Sequence, residues 1–399
     1  MSTSSHRVVI VGGGSAGVTV AARLRRAGVR DVAMVEPSQD HWYQPLWTLV
    51  GGGLADVARS RRPQSSVMPK GVTWIQGRAA AVDPQACTVT LEDGRTVGYE
   101  YLVMAPGIQL NWGGITGLPG ALGRDGVSSN YDHALAPRTW DFVRATTRGT
   151  AVFAQPAGAI KCAGAPQKIA YLAADYWRRQ GVLKDIDVHL VLPTPGMFGV
   201  PEFARILEKV VERYGITVHF NSEVVEVDGG AREVIIRDNA NDTKERIGYD
   251  VFHAVPPQSA PDWVRQGPLA DTSTPAGYVA LDKHTLRHVT YGNVFGLGDA
   301  GSTPNSKTGA AVRHQAPVLV KNLQEVMSGG EPSAEYDGYA SCPLTTARDR
   351  MLLAEFDYSL KPAPSIPILD TTHEHRDFGL LKKYGLPTLY WNLMLKGLA

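Results

Sequence analysis

Residues 7–24 read Arg7-Val8-Val9-Ile10-Val11-Gly12-Gly13-Gly14-Ser15-Ala16-Gly17-Val18-Thr19-Val20-Ala21-Ala22-Arg23-Leu24, and a second apolar run, Val32-Ala33-Met34-Val35, closes on Glu36. The order is strand, glycine turn, helix, strand, with an acid nineteen residues after Gly17. A dinucleotide needs each part. Gly12 permits the tight turn, Gly14 lets backbone approach a pyrophosphate, and Gly17 lets helix and strand pack closely. Ser15 and Ala16 open the helix, whose free N–H groups and dipole favour the negative charge. Glu36 is placed to accept hydrogen bonds from ribose hydroxyls. The motif alone leaves FAD and NAD equally open.

The 399 residues suffice for two or three domains with real cores. An apolar share of 43% and a net charge of +1 describe a soluble globular chain and exclude a nucleic-acid binder, since no dense basic run carries interleaved aromatics. Three cysteines make no disulfide framework, which points to a reducing compartment. Residues 1–7 are too short for a signal peptide, and no apolar run approaches the ~18 residues of a membrane span. The expected location is peripheral, on the cytoplasmic side of a membrane.

After Glu36 the loop His41-Trp42-Tyr43-Gln44-Pro45-Leu46-Trp47 suits a wall beside a flat cofactor ring, with Gln44 and Pro45 among its cofactor contacts. Val72 to Gln76, Thr88 to Leu91 and Thr96 to Tyr99 read as strands, and Tyr101 to Gly107 as a buried strand whose Ala105 and Gly107 pass the cofactor. Asp132 to Arg148 reads as a helix. A second unit opens with the strand from Thr150 to Gln155. Where a nicotinamide-binding module would place GxGxxG, the chain has Pro156-Ala157-Gly158-Ala159-Ile160-Lys161-Cys162-Ala163-Gly164-Ala165-Pro166. The next strand, Val188 to Leu192, ends in Pro193-Thr194-Pro195 without a ribose-binding acid, so no tightly bound NAD(P)H is expected.

Asn293-Val294-Phe295-Gly296-Leu297-Gly298-Asp299 returns the chain to the first unit, and a strand ending in Gly298-Asp299 is a second FAD fingerprint. Ser306-Lys307-Thr308 then opens a helix to Met327, whose N-terminus stabilises negative charge on a reduced flavin, with Lys307 adding to it. In the tail, Leu386, Leu389, Tyr390, Leu393 and Met394 share one helical face, with Lys382 and Lys383 upstream, the pattern of an interfacial helix. No metal is expected; His284 and His288 stand four apart without a third ligand.

The chain resembles the sulfide:quinone oxidoreductases, in the branch that includes the mitochondrial enzymes. The resemblance runs through residues 41–50, the block Lys161 to Ile169, Phe295 to Asp299, Ser306-Lys307-Thr308, Tyr339 to Leu344, Leu353 to Tyr358 and Tyr390-Trp391-Asn392. It implies an α/β fold of two Rossmann-like domains, the second inserted in the first, plus a C-terminal membrane-facing segment. The expected bounds are 1–112 and 286–328 for the FAD-binding domain, 113–285 for the second domain, and 329–399 for the quinone-facing tail. It also implies FAD, sulfide or a small thiol as donor, a membrane quinone as acceptor, and attachment through the tail, and it leaves room for a homo-oligomer. Cys162 matches the first redox cysteine. The expected second cysteine, after Gly298-Asp299, is here Ala300, while Cys342 matches a family position read as structural and Cys87 reads as a small buried hydrophobe on a strand; either takes the missing place only if the fold brings its sulfur within disulfide reach of Cys162. The implied chemistry therefore runs through Cys162 alone, its pKa lowered by Lys161 and Lys168, with the flavin as its electrophile. Two readings compete: a type II NADH:quinone dehydrogenase, and a low-turnover FAD-bound persulfide sensor left by the broken pair.

Overall fold

The structure is a computed structural model that describes residues 3–366 and 370–399. The opening stretch folds as its pattern requires: β1 (Thr3–Val11), α1 (Ser15–Arg26) and β2 (Val32–Val35), with β1 and β2 parallel in register Val8↔Val32 to Val11↔Val35. Val8 to Val11 of β1 and all of β2 are apolar and buried on both faces because helices and a second layer cover the sheet there. This sheet has seven strands. In order they are Val72–Ile75, β2, β1, Thr96–Met104, Thr88–Leu91 and Ala79–Asp83, and Val294–Gly296 lies beside the end of Thr96–Met104. The segments expected as two strands, Thr96 to Tyr99 and Tyr101 to Gly107, form one, since Thr96–Met104 pairs with β1 along its length.

A five-stranded parallel sheet follows, in the order Val127–Ser128, Val251–His253, β3 (Gly149–Ala154), Ile186–Val191 and Thr217–His219. Its main covering helices are α2 (Ala165–Gln180) and the helix Pro201–Tyr214, both ending on a left-handed glycine, Gly181 and Gly215. The helix expected from Asp132 starts only at Ala136, where Pro137 fits the first turn. A three-stranded antiparallel sheet spans Ser222–Asp228, Glu233–Asp238 and Thr243–Gly248.

The chain re-enters the first layer through α3 (Gly309–Met327), which Thr308 caps by accepting from Ala311 N at 3.1 Å. A hairpin of β4 (Ala340–Ala347) and β5 (Arg350–Phe356) then packs against α2. The last helix, α4 (Leu386–Asn392), is not the free amphipathic helix expected. Tyr390, Trp391, Met394 and Leu395 are buried in the core of the first layer, where Tyr390 meets the Tyr43 ring at 4.6 Å. Of the expected stripe only Leu393 is exposed; from residue 370 onward the other exposed large apolar side chains among the described residues are Leu380, Leu381, Tyr384 and Leu398. Among the described residues no helix is long and apolar enough to cross a membrane.

Candidate active site

The loop between β3 and α2 carries Cys162. Its backbone is held from two sides: Cys162 N donates to Lys307 O at 2.8 Å, and the Tyr131 hydroxyl donates to Lys161 O at 3.0 Å. Cys162 has φ 53°, a left-handed conformation that costs a non-glycine residue free energy and recurs where geometry is dictated by function. The result is a partly exposed residue whose thiol points into the protein just before the first turn of α2. Lys168, on the next turn, is buried and donates from Nζ to Cys162 Sγ at 2.9 Å.

The sulfur that completes this site comes from 180 residues away. Cys342 Sγ, buried on β4, lies 3.8 Å from Cys162 Sγ. The reading of Cys342 as structural is therefore corrected in its geometry: it is the cysteine within disulfide reach of Cys162. Ala300, at the position expected for the second cysteine, is 1% exposed and packed in the apolar cluster of Val279 and Leu281. Cys87 is neither on a strand nor fully buried. It sits half-exposed with φ 52° in the turn before Thr88–Leu91, near Pro84 O and Asn293 Nδ2.

Charge divides the two thiols. A hydrogen bond from Cys342, then the Lys168 ammonium, hold the Cys162 thiol well below its usual range despite burial. The same bond, together with burial, pushes Cys342 well above it. A second lysine approaches from the tail: buried Lys382 donates to Pro343 O at 2.9 Å. Burial, then Lys168, pull Lys382 well below the usual lysine range. Lys161, expected to act on Cys162, points elsewhere, donating to Gln44 Oε1 at 2.6 Å.

The dinucleotide turn fits its cofactor. A Cβ on Gly12 (φ 102°) would sit 2.1 Å from Ala105 O, and one on Gly17 would sit 1.9 Å from Gly12 O, so neither position admits a side chain. At Gly14 and Gly107 a Cβ would meet open space, the room a pyrophosphate and a ring need. Glu36 takes Gly13 N at 2.6 Å and Ser38 N at 2.7 Å, which fixes both its oxygens at the end of β2. Ser15 Oγ and His41 Nε2 both meet the Tyr390 hydroxyl, at 2.7 and 2.5 Å, so the tail is tied to this turn. Pro45 lies in the short helical turn Gln44–Leu46 beside it. The Asp299 carboxylate accepts no hydrogen bond among the described residues and is flanked by Lys307 and Lys161. Burial pulls both lysines down to about 8, against the attraction of Asp299. Lys307 Nζ donates to Asp299 O and Gly301 O at 2.9 and 2.7 Å. Gly298 N is bound by Gln315 Oε1 at 2.9 Å.

Two thiols in reach of each other, a lysine on one of them, and a dinucleotide turn in the adjoining layer describe a dithiol flavoprotein. Residues 6–314 match the pyridine nucleotide-disulphide oxidoreductase family. The chain is 40% identical over 395 residues to the mitochondrial sulfide:quinone oxidoreductase of Mus musculus, covering 98% of this chain and 87% of that one. The chain belongs to the sulfide:quinone oxidoreductase family. The mitochondrial sulfide:quinone oxidoreductase of Dictyostelium discoideum is 39% identical, covering 98% of this chain and 86% of its own. The sulfide:quinone oxidoreductase structure from Aquifex aeolicus matches with a TM-score of 0.79 at 19% identity, over 98% of this chain and 91% of that one. Membership makes the chain an FAD-dependent oxidoreductase, and the open glycine turn and unpartnered Asp299 fit that cofactor.

Of the residues that complete this site, sequence reading missed Gly164 and Lys382, and it named Cys342 only as structural unless the fold brought it to Cys162. A Cβ on Gly164 would meet Cys342 Sγ at 2.7 Å and Leu344 Cδ2 at 2.4 Å, so this glycine is what admits the second sulfur. A glycine two residues after a loop cysteine was the one local signal available.

Proposed function

We propose that this chain oxidises sulfide at the Cys162–Cys342 pair and passes the electrons through FAD to a membrane quinone. The carrying observation is the 3.8 Å approach of the two sulfurs with Lys168 Nζ 2.9 Å from one of them. In the oxidised state the two sulfurs are joined. Hydrosulfide attacks the sulfur of Cys342, the S–S bond breaks, and Cys162 leaves as thiolate. The direction follows from the charges, because the lower-pKa thiol is the better leaving group. Cys342 then holds a persulfide. A nucleophilic acceptor takes its outer sulfur, which returns Cys342 as a thiol or thiolate beside the Cys162 thiolate held by Lys168. FAD supplies acceptance of the two electrons released as the pair rejoins, and their delivery to quinone.

Gly12, Gly14, Ser15, Ala16 and Gly17 would hold the pyrophosphate and Glu36 the ribose. Gln44, Pro45, Ala105 and Gly107 would border the ring, and Gly298, Asp299 and Thr308 would complete the cradle with Lys307. Lys307 steadies the Gly298–Gly301 turn through its two carbonyl contacts and places positive charge there. The approach of Cys342 argues against a low-turnover sensor, since another element can supply the second sulfur. The protein docks peripherally on the cytoplasmic side of a membrane, where quinone resides, through the exposed Leu380, Leu381 and Tyr384.

Peptide mass spectrometry under non-reducing conditions tests the pair. After turnover with sulfide and quinone, the account expects Cys162 and Cys342 in one linked species, directly or through an extra sulfur. Recovery of both as separately alkylated thiols from fully active enzyme would sink it.

A further inference from the structure

Far from the redox pair, at the other end of α2, arginines from four elements converge on one cavity of about 310 Å³. Arg178 and Arg179 come from the last turn of α2, Arg213 from the last turn of the helix Pro201–Tyr214, Arg350 from the start of β5, and Arg376 from the segment before the tail helices. Asp349 is the acid in the lining. Three carboxylates answer part of this charge. Asp175 takes Arg178 and Arg179, Asp349 takes Arg179 at 2.9 Å, and Glu374 takes Arg213. Glu374 also attracts Arg350 without a close ion pair, and Arg376 forms none among the described residues, so five arginines face three carboxylates and the described cavity keeps a surplus of positive charge. Helix α2 has sixteen residues, roughly 24 Å of rise, and Cys162 lies at its opposite end, so this cavity is no part of the sulfide site.

The rim identifies the occupant. A Cβ on Gly379 would lie 3.4 Å from Asp349 O, which sets the tail directly against the cavity. The next residues out, Leu380, Leu381 and Tyr384, are 63%, 37% and 50% exposed. Further cations border that apolar patch: Arg59 and Lys383 lie 5.5 Å from the Tyr384 ring centre. Arginine offers planar, paired donors that suit phosphate oxygens. Phosphate-binding charge bordering exposed apolar side chains matches one ligand chemistry, a phosphoryl headgroup that carries acyl chains.

We propose that Arg350 and Arg376, with Arg178, Arg179 and Arg213 behind them, form a binding site for the headgroup of an anionic phospholipid, seated beside the apolar patch of the tail. The proposal rests on the peripheral membrane reading above. It adds a requirement for lipid charge that apolar docking alone does not impose.

The test is flotation of the full-length FAD enzyme with vesicles of phosphatidylcholine alone and of phosphatidylcholine containing phosphatidylglycerol, for wild type and the double variant Arg350→Ala/Arg376→Ala. Sulfide-dependent reduction of a soluble quinone serves as the check on folding, since neither arginine touches the redox site. The wild type is expected to favour the anionic vesicles, and the double variant to lose about thirty-fold in that affinity while binding the neutral vesicles as before. Equal binding of both proteins to anionic vesicles overturns the headgroup site and leaves membrane docking standing. Failure of the wild type to bind either vesicle overturns the docking reading and the site together. Thermal stabilisation by inorganic phosphate, lost in the double variant and without any vesicle preference, would assign the cavity to a free anion and also overturn the proposal. A variant that loses soluble-quinone activity is replaced by Arg376→Gln alone, an exposed residue, read against the same outcomes.

Discussion

The sulfur of Cys162 owes its reactivity to three neighbours: the Cys342 thiol, the Lys168 ammonium and the backbone that holds it at φ 53°. Because its pKa is lowered in the folded protein, the thiolate form persists as pH falls below the ordinary thiol range of ~8.5 and disappears only on passing the folded pKa. Alkylation of the reduced protein by iodoacetamide should therefore stay fast through neutral pH, and Lys168→Met should move its midpoint upward. An unmoved midpoint would remove Lys168 from the account. Gly164 makes an independent prediction. Its Cβ in Gly164→Ala would press on Cys342 Sγ and Leu344, costing about 1–3 kcal/mol of stability in thermal unfolding and spoiling the sulfur pairing. A variant with unchanged melting temperature and turnover would show that the hairpin yields at no cost.

At the scale of elements, what was legible in the sequence is what local patterning encodes. The strand–turn–helix at residues 3–26 follows from apolar runs and glycines a few residues apart, and so does the return of Val294–Gly296 to Thr96–Met104. The Cys162 loop could be placed, but its partner could not, because the contact joins residues 180 apart in sequence and depends on how β4 packs on α2. The tail misled for a related reason. Periodicity shows that α4 has an apolar face and says nothing of what covers it; Tyr390 and Trp391 turn inward because His41 and Tyr43 offer ring partners and Ser15 a hydroxyl. Removing the Tyr390 hydroxyl in Tyr390→Phe leaves buried His41 and half-buried Ser15 short of a partner, at roughly 1–3 kcal/mol. Calorimetry should show the lower melting temperature, and FAD should dissociate more readily because Ser15 opens α1. A variant as stable as wild type would mean that the tail docks through packing alone.

Across the whole molecule, one sheet presents the cofactor turn, the other presents Cys162, and the hairpin that follows them supplies Cys342. The tail closes on both, through Lys382 near the sulfurs and Tyr390 at the glycine turn. Four separate stretches of chain thus build one centre, and a substitution at any of them should register in the same reaction. The most direct test of that centre is anaerobic stopped-flow mixing of sulfide with the FAD-loaded wild type and with Cys342→Ser, followed by addition of a soluble quinone. The account predicts rapid bleaching of the wild-type flavin, restored by quinone, and loss of bleaching in Cys342→Ser as in Cys162→Ser. Bleaching of Cys342→Ser at the wild-type rate would contradict it and show that Cys162 works alone.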